Sequence, residues 1–140
     1  MKKSGSAHWS GNIKEGQGTI STQTGVLREA PYGFKSRFED GPGTNPEELI
    51  GAAHAACYSM ALSLGLGEAG LTAESIDTKA VVSLDKDGDG FTISAVQLTC
   101  EARVPGADKA AFDRIAEATK LGCPVSKVLK ARITLDAKLL

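Results

Sequence analysis

Three cysteines are the residues of this 140-residue chain with the widest chemical repertoire. Cys57 lies in an apolar run rich in Gly and Ala, and Cys123 precedes a proline. Cys100 lies on the apolar face of an alternating stretch, which predicts a small buried core residue. An odd number of widely spaced cysteines is not typical of a secreted disulfide framework. In a reducing compartment such thiols are either inert core residues or redox-active nucleophiles, and the surroundings of each sulfur decide which.

Cys57 and Cys123 differ in what their predicted positions offer a thiolate. Cys57 falls in the middle of a predicted helix, where the helix dipole has faded. Burial alone would raise its pKa, so a reactive Cys57 needs a positive neighbour from outside the helix. Cys123 stands beside Pro124 at a predicted helix start, where free N–H groups favour a thiolate. The two are candidates for a redox pair, and inert core cysteines are the alternative.

Two other patterns suggest metal chemistry, and neither is complete. His54 is three residues before Cys57 on the same helical face, but two ligands make no zinc site. A packed or hydrogen-bonded core histidine is therefore expected, with a Cys–His nucleophile and base as the alternative. Residues 85–90 match the start of an EF-hand loop, but Val96 stands where the bidentate Glu belongs. We expect a solvated hairpin turn there, and no metal or other cofactor.

The helix that carries Cys57 is predicted over Pro46–Glu68. Asn45 can cap it, and Glu48 falls at the capping-box position three residues later. The residues that follow are apolar nearly all round, which predicts a buried helix. Its many Gly and Ala residues allow another backbone to approach closely.

Alternating and helical patterns occupy the rest of the chain. They predict strands over 6–21 (a hairpin), 33–38, 76–84, 91–104 and 133–139, with a bulge between Ala95 and Val96, and helices over 108–121 and 124–130. The order predicts one α+β domain over residues 1–140, with an antiparallel sheet packed on one long, central buried helix plus two shorter helices.

Charge and composition argue against several classes of partner. The chain has 16 Lys and Arg against 17 Asp and Glu, with no basic patch, so we expect no nucleic acid partner. We expect no apolar stretch to approach the length of a membrane span, so no association with a membrane is predicted. Lys2 and Lys3 are not followed by the apolar segment of a secretory signal, which makes a cytoplasmic location the expectation.

Three motifs in the chain resemble the OsmC/Ohr family of thiol peroxidases, most closely its OsmC branch. They are P-Y-G-F-K-S-R-F at residues 31–38, G-T-N-P-E-E-L-I-G-A-A-H-A-A-C at residues 43–57, and G-C-P-V-S at residues 122–126. The motifs are long and follow one another in the family's order, and the resemblance covers almost the whole chain.

The resemblance implies a role for each residue of an active site. Cys57 would be the peroxidatic cysteine, Cys123 the resolving cysteine, and Arg37 the residue that holds the thiolate and orients the peroxide. Glu47 would pair with Arg37. The resemblance also implies an OsmC-like fold in an intertwined homodimer with shared active sites, organic hydroperoxide substrates, and a dithiol reductant of the dihydrolipoyl type, without metal or haem.

Helix geometry constrains this arrangement. Glu47 and Cys57 are ten residues apart, roughly 15 Å along one helix axis, so this carboxylate cannot reach its own Cys57. It must come from the partner's helix or act through a bent Arg37, and Glu48 is the alternative carboxylate. The function expected is reduction of organic hydroperoxides through a Cys57 sulfenic acid and a disulfide with Cys123. Apolar side chains near the pocket would favour such substrates over hydrogen peroxide, and the candidates are Tyr32, Phe34, Phe38 and Met60. The alternative is a non-catalytic, redox-sensing or stress-related binding dimer.

Overall fold

A three-stranded antiparallel sheet opens the chain. Its strands are β1 (Gly5–Ser10), β2 (Gln17–Thr22) and β3 (Ala30–Tyr32), in that spatial order. The first two pair in the predicted hairpin, from Gly5 opposite Thr22 to Ser10 opposite Gln17. The computed structural model describes residues 1–140 and divides them into two units, Met1–Leu49 and Ile50–Leu140.

Residues 33–38 were predicted to form a strand, and this prediction is wrong. The structure has a short helix, α1 (Phe34–Phe38), at this place. The Ser36 hydroxyl accepts a hydrogen bond from the Gly33 N–H at 2.9 Å and donates to the Thr44 carbonyl at 2.8 Å. Such local bonds between a side chain and the backbone compete with extended structure, and alternation alone does not reveal them.

The long helix α2 (Pro46–Glu68) has the predicted bounds. The side-chain oxygen of Asn45 accepts a hydrogen bond from the Glu48 N–H at 2.8 Å, which is the predicted N-cap. The Glu48 carboxylate accepts from the Thr44 hydroxyl at 3.3 Å instead of completing the predicted capping box.

The prediction that α2 is buried is only half right. The residues of α2 buried within the chain recur every three or four positions and lie on one face: Gly51, His54, Tyr58, Leu62 and Leu66. On the opposite face Met60 is 76% exposed and Leu64 is 66% exposed. Apolar patterning predicts that a surface is covered, but it does not tell whether the same chain covers it.

Helix α2 also contradicts the expectation that no segment approaches a membrane span. Its 23 residues include an 18-residue window with a mean hydropathy of 1.5, of which 28% is buried. By length and composition alone the helix is therefore sufficient to cross a membrane. The core helices of soluble proteins meet the same two criteria, so this finding by itself does not indicate a membrane protein.

A second sheet has the strand order β4 (Ser75–Asp87), β5 (Gly90–Arg103) and β6 (Arg132–Leu139). Strands β4 and β5 form an antiparallel hairpin, which confirms a hairpin at residues 85–90. The turn itself is shorter than predicted, because the strands remain paired up to Asp87 opposite Gly90. The register shifts opposite Ser83 and Leu84, where Ser94 is the extra residue, close to the predicted bulge.

The last strand departs from the predicted antiparallel sheet. Strand β6 pairs with β5 in parallel, with Ala95 opposite Arg132. Two helices, α3 (Lys109–Gly122) and α4 (Pro124–Val128), connect these strands. Such a helical crossover returns the chain in its original direction, which produces a parallel pair. The α+β class is confirmed.

The core of the second unit lies between α2, α3 and the sheet. Gly51 lets α2 approach β4 closely, since a Cβ there would stand 3.1 Å from the Ala80 carbonyl oxygen. Cys100 is fully buried in this core, as predicted. The core residues are Tyr58, Leu62, Leu66, Val96, Leu98, Cys100, Ala102, Val104, Phe112 and Ala116.

The loop between α1 and α2 has a strict need for glycine at position 43. Gly43 has a φ of 110°, and a Cβ there would lie 2.6 Å from the Pro31 carbonyl oxygen. We expect Gly43→Ala to lower the free energy of unfolding by about 1–3 kcal/mol, measured by urea denaturation. Gly122→Ala is the control, because a Cβ at Gly122 meets nothing within 4 Å. Equal stability of the two variants would contradict this account.

Candidate active site

Arg37 and Glu47 form a two-pronged ion pair within the first unit. Arg37 Nη2 donates to Glu47 Oε1 at 2.7 Å, and Arg37 Nε donates to Oε2 at 3.2 Å. The Glu47 side chain is 11% exposed and that of Arg37 is 37% exposed. The structure thus brings these two predicted residues together, and it selects Glu47 over Glu48, the alternative carboxylate.

Hydrogen bonds between α1 and the start of α2 hold this pair in place. The Asn45 amide donates to the Ser36 carbonyl at 2.9 Å, so the residue that caps α2 also binds the residue before Arg37. The Thr44 N–H donates to the Pro31 carbonyl at 2.9 Å. Hydrogen bonds therefore hold the short helix that carries Arg37 at both ends. The two carboxylate oxygens of Glu47 orient the Arg37 guanidinium.

Aromatic residues surround Arg37 in a cavity of about 260 Å³. The Phe34 and Phe38 ring centroids are 5.0 Å apart, and the guanidinium carbon of Arg37 lies 5.3 Å from the centroid of Phe38. The sequence predicted Tyr32, Phe34, Phe38 and Met60 near a pocket; the first three line this cavity, but Met60 does not. The full lining is Trp9, Ile13, Tyr32, Gly33, Phe34, Arg37, Phe38 and Pro46.

Trp9 and Ile13 are the large apolar lining residues that the sequence did not predict. Trp9 packs on Tyr32, with ring centroids 5.5 Å apart, because β1 and β3 flank β2 in the sheet. The sequence offered one indication that Trp9 lines a pocket: it is the single tryptophan of the chain, and it falls on one side of a predicted hairpin.

Cys57 and Cys123 form the second pair, within the second unit. Their sulfur atoms are 3.0 Å apart and hydrogen-bonded, and both are free thiols. Cys57 comes from the middle of α2 and is partly exposed, whereas Cys123 stands between α3 and α4 and is fully buried. Sequence predicted this pairing only as an alternative to two separate core cysteines, because 66 residues separate the two.

The two thiols hold their protons unequally. Burial raises the pKa of Cys57, and the hydrogen bond with Cys123 acts in the same direction. Burial also opposes ionisation of Cys123, but the hydrogen bond with Cys57 and the backbone N–H groups of Ser126 and Val125 outweigh it and lower its pKa. Within one chain, the thiolate is therefore favoured on Cys123.

His54 is a fully buried histidine beside this pair. Its Nε2 lies 2.8 Å from the Ser126 hydroxyl oxygen, and its Nδ1 has no hydrogen-bond partner in the chain. Burial lowers the pKa of His54, which favours the neutral imidazole. The predicted hydrogen-bonded core histidine is thus found, with a partner on α4 that the sequence did not suggest.

Cys100 remains outside both pairs. It is fully buried on β5, and burial raises the pKa of its thiol, which describes an inert core cysteine. No group of three or more His, Cys, Asp or Glu side chains is arranged to hold a metal ion.

The ion pair at Arg37 predicts an energetic coupling that can be measured. In a double-mutant cycle with Arg37→Gln and Glu47→Gln, we expect a coupling of about 0.5–1 kcal/mol in urea denaturation, as for a partly exposed pair. Arg37→Gln with Glu48→Gln is the matched control, and these effects should add. A larger coupling with Glu48 than with Glu47 would refute the pairing.

Comparison with known sequences gives a consistent assignment. The sequence model described as OsmC-like protein matches residues 39–138. The chain is 64% identical to the peroxiredoxin OsmC of Escherichia coli (strain K12) over 139 residues, which are 99% of this chain and 97% of that protein. It is 28% identical to the organic hydroperoxide resistance protein OhrB of Bacillus subtilis (strain 168), over 87% of each chain.

Solved structures share the fold. An OsmC-like protein of unknown function from Vibrio cholerae superposes with a TM-score of 0.78 over 98% of this chain and 99% of that chain, at 16% identity. The crystal structure of OhrB of Bacillus subtilis gives a TM-score of 0.69 over 98% of both chains, at 24% identity. Identities this low show the fold alone. The family match and the full-length relative at 64% identity show more: this chain belongs to the OsmC family.

Proposed function

We propose that this chain is a thiol peroxidase that reduces organic hydroperoxides to alcohols. The observation that carries the proposal is the pair of free thiols, Cys57 and Cys123, with sulfur atoms 3.0 Å apart. One thiol is accessible and the other is buried behind it, which suits attack at the first and resolution by the second. The names of the relatives, a peroxiredoxin and an organic hydroperoxide resistance protein, support the same chemistry.

In the first step the Cys57 thiolate attacks the distal oxygen of the hydroperoxide. The O–O bond breaks, the alkoxide takes a proton and leaves as alcohol, and Cys57 becomes a sulfenic acid. Arg37 stabilises the thiolate and the developing alkoxide, since its charge is permanent and its donors form a rigid fork. Glu47 orients that fork through the two hydrogen bonds described above.

In the second step the Cys123 sulfur attacks the Cys57 sulfur and expels the hydroxyl group as water. The two sulfurs must approach from 3.0 Å to about 2.05 Å, which side-chain rotation provides. An external dithiol, which we propose is of the dihydrolipoyl type, then reduces the disulfide and restores both thiols. Every electron in the cycle comes from a thiol of the protein or of the reductant.

The proton distribution within one chain supports a role for Arg37. The pKa of Cys57 is raised by burial, and the middle of α2 supplies no compensating dipole. Peroxide attack requires the thiolate on Cys57, so a cation must be brought to it. Arg37 is the candidate because Glu47 already orients its guanidinium and aromatic residues surround it.

The cavity around Arg37 indicates the substrate class. Its volume of about 260 Å³ and its aromatic lining suit an apolar alkyl or aryl group better than hydrogen peroxide. The guanidinium in its wall provides donors for the peroxide oxygens. We therefore propose organic hydroperoxides with a compact apolar group as the preferred substrates.

We propose that two copies of the chain assemble and share their active sites. The exposed apolar face of α2, with Met60 and Leu64, requires a cover that one chain does not supply. Glu47 and Cys57 are separated by ten residues of one helix, about 15 Å along its axis. Arg37 and Glu47 of one chain would therefore serve Cys57 of the other. A cytoplasmic location and a single domain over residues 1–140 stay predictions.

One observation favours a second candidate function. The raised pKa of Cys57 within one chain describes a weakly reactive thiol, as expected for a non-catalytic redox-sensing or stress-related binding dimer. Steady-state turnover of cumene hydroperoxide with a dihydrolipoyl reductant separates the two functions. Turnover establishes the peroxidase, and stoichiometric oxidation without turnover establishes the sensor.

Substitutions of Cys57 and of Cys123 should affect the reaction in different ways. We expect Cys57→Ser to abolish peroxide consumption, because the nucleophile is lost. Cys123→Ser should still consume one equivalent of cumene hydroperoxide and accumulate Cys57 sulfenic acid, measured by dimedone trapping and mass spectrometry. Cys100→Ser is the control and should keep turnover. Full activity of Cys57→Ser would refute the assignment.

Sharing of the active sites can be tested by mixing inactive variants. Arg37→Met and Cys57→Ser chains each lack one residue, but a mixed dimer would contain one site with both residues intact. After unfolding and refolding together in equal amounts, the mixture should recover about a quarter of wild-type turnover, since half the dimers are mixed and one site in each is complete. If each site were built from a single chain, the mixture would stay inactive.

A further inference from the structure

We propose that His54 and Ser126 form a proton relay that serves the resolving thiol, Cys123. The inference rests on the proposed function, in which Cys123 condenses with the sulfenic acid of Cys57. It assigns a role to a buried polar pair that the peroxide chemistry described so far does not use.

The pair joins α2 to the first turn of α4, the helix that Cys123 caps. His54 Nε2 and the Ser126 hydroxyl oxygen are 2.8 Å apart, although 72 residues separate them in sequence. His54 is fully buried and Ser126 is 8% exposed. Cys123 is the N-cap of α4 and Ser126 is its third residue, and side chains at these two positions face each other across the first turn. The Ser126 hydroxyl interacts with the Cys123 sulfur and contributes to the lowering of its pKa.

The unpaired nitrogen of His54 lets the relay run in both directions. A histidine whose Nδ1 donates to a carbonyl is held in one tautomer, with Nε2 as an acceptor. Nδ1 of His54 has no partner in the chain, so nothing selects a tautomer. Nε2 can accept a proton from the Ser126 hydroxyl, or it can donate to that hydroxyl while Ser126 donates to a Cys123 thiolate.

The neighbouring titratable groups do not compete for this proton. Cys57, on α2 with His54, is the electrophile in the condensation step. Tyr58, also on α2, is electrostatically coupled to Cys123, but burial raises its pKa and its hydroxyl donates to the Ala116 carbonyl at 3.3 Å. Burial keeps His54 neutral by lowering its pKa, which leaves it free to act as the base.

The condensation step then balances as follows. The Cys123 thiol proton passes to the Ser126 oxygen as the Ser126 proton passes to His54 Nε2. The Cys123 electron pair forms the bond to the Cys57 sulfur, and the S–O bond of the sulfenic acid breaks. Hydroxide leaves with that electron pair and takes a proton from solvent on the open side of Cys57. The products are the disulfide, water and a protonated His54.

The relay runs backwards when the dithiol reduces the disulfide. The reductant thiolate attacks the accessible Cys57 sulfur to form a mixed disulfide, and Cys123 leaves as a thiolate. The second thiol of the reductant then displaces Cys57 and closes the reductant's own disulfide. His54 returns its proton through Ser126 to that sulfur, which restores the neutral histidine and the thiol. His54 acts through Ser126 and is therefore a positioning residue, whereas Ser126 interacts with the reacting sulfur itself.

The relay can be tested without peroxide, by thiol–disulfide exchange with dithiobis(nitrobenzoate). One equivalent labels the accessible Cys57, and attack by Cys123 then expels a second thionitrobenzoate, whose absorbance reports the rate. In Ser126→Ala and His54→Gln we expect this second release to be slowed roughly tenfold or more at pH 7. The pH of half-maximal rate should also rise by about one unit or more, toward that of an ordinary thiol. Ser126→Thr, which keeps the hydroxyl, should restore both.

Thr119→Val is the matched control, because Thr119 is also 8% exposed and its hydroxyl bonds only to the Ile115 carbonyl among the contacts described. It should leave the rate and the pH profile unchanged. Wild-type rate in both relay variants would overturn the proposal, as would a slower rate with an unshifted pH profile. If the wild-type chain did not turn over peroxide but the relay variants still slowed the second thionitrobenzoate release, the result would count against the peroxidase and not against the relay.

A measurement on the unmodified chain covers the case in which the variants do not fold. In long-range ¹H–¹⁵N spectra, the His54 ring nitrogens should change their shifts between the dithiol and the disulfide, because the Ser126 hydroxyl that Nε2 binds loses or gains its sulfur partner. His8, on β1, is the internal reference. Identical His54 shifts in the two redox states would overturn the relay.

Discussion

The sulfur atoms of Cys57 and Cys123 lie in hydrogen-bond contact, and the proton between them decides which of the two is the nucleophile. The fold gives the advantage to Cys123, which receives backbone N–H groups at the start of α4, whereas Cys57 is placed where the helix dipole offers nothing. Within a single chain, the accessible Cys57 thiol therefore favours its protonated form. In the proposed mechanism, peroxide chemistry at Cys57 needs a positive charge that reverses this order, and the guanidinium of Arg37, which Glu47 orients, would supply it.

Helix α2 carries several parts of the chemistry at fixed spacing. Its first turn holds Glu47 against Arg37, its middle carries Cys57, and its buried face places His54 against Ser126. A continuous helix keeps these positions at constant separations, about 1.5 Å per residue. In the proposed dimer, the partner that covers the exposed apolar face of α2 would also bring its own Arg37 and Glu47 to Cys57.

Local patterns predicted well wherever local energies dominate. The Asn45 cap, the bounds of α2, the β4–β5 hairpin and the burial of Cys100 all follow from capping or alternation within a few residues. Predictions failed where the alternation of residues does not encode the interaction that decides the structure. Residues 33–38 alternate like a strand, but Ser36 binds backbone groups on both sides of α1 and stabilises a helix. The parallel pairing of β6 follows from the crossover through α3 and α4, which the alternation of its residues does not encode.

The sequence by itself determined the helix around Cys57, the motifs that carry the family resemblance, and the candidates Arg37, Glu47 and Cys123. Capping, periodicity and motif order are properties of neighbouring residues, so they can be read from the chain. Only the tertiary structure decided that Arg37 binds Glu47 instead of Glu48, that the two thiols touch, and that His54 meets Ser126 across 72 residues. The last two contacts join residues that are 66 and 72 positions apart, and the geometry of all three depends on how the chain packs.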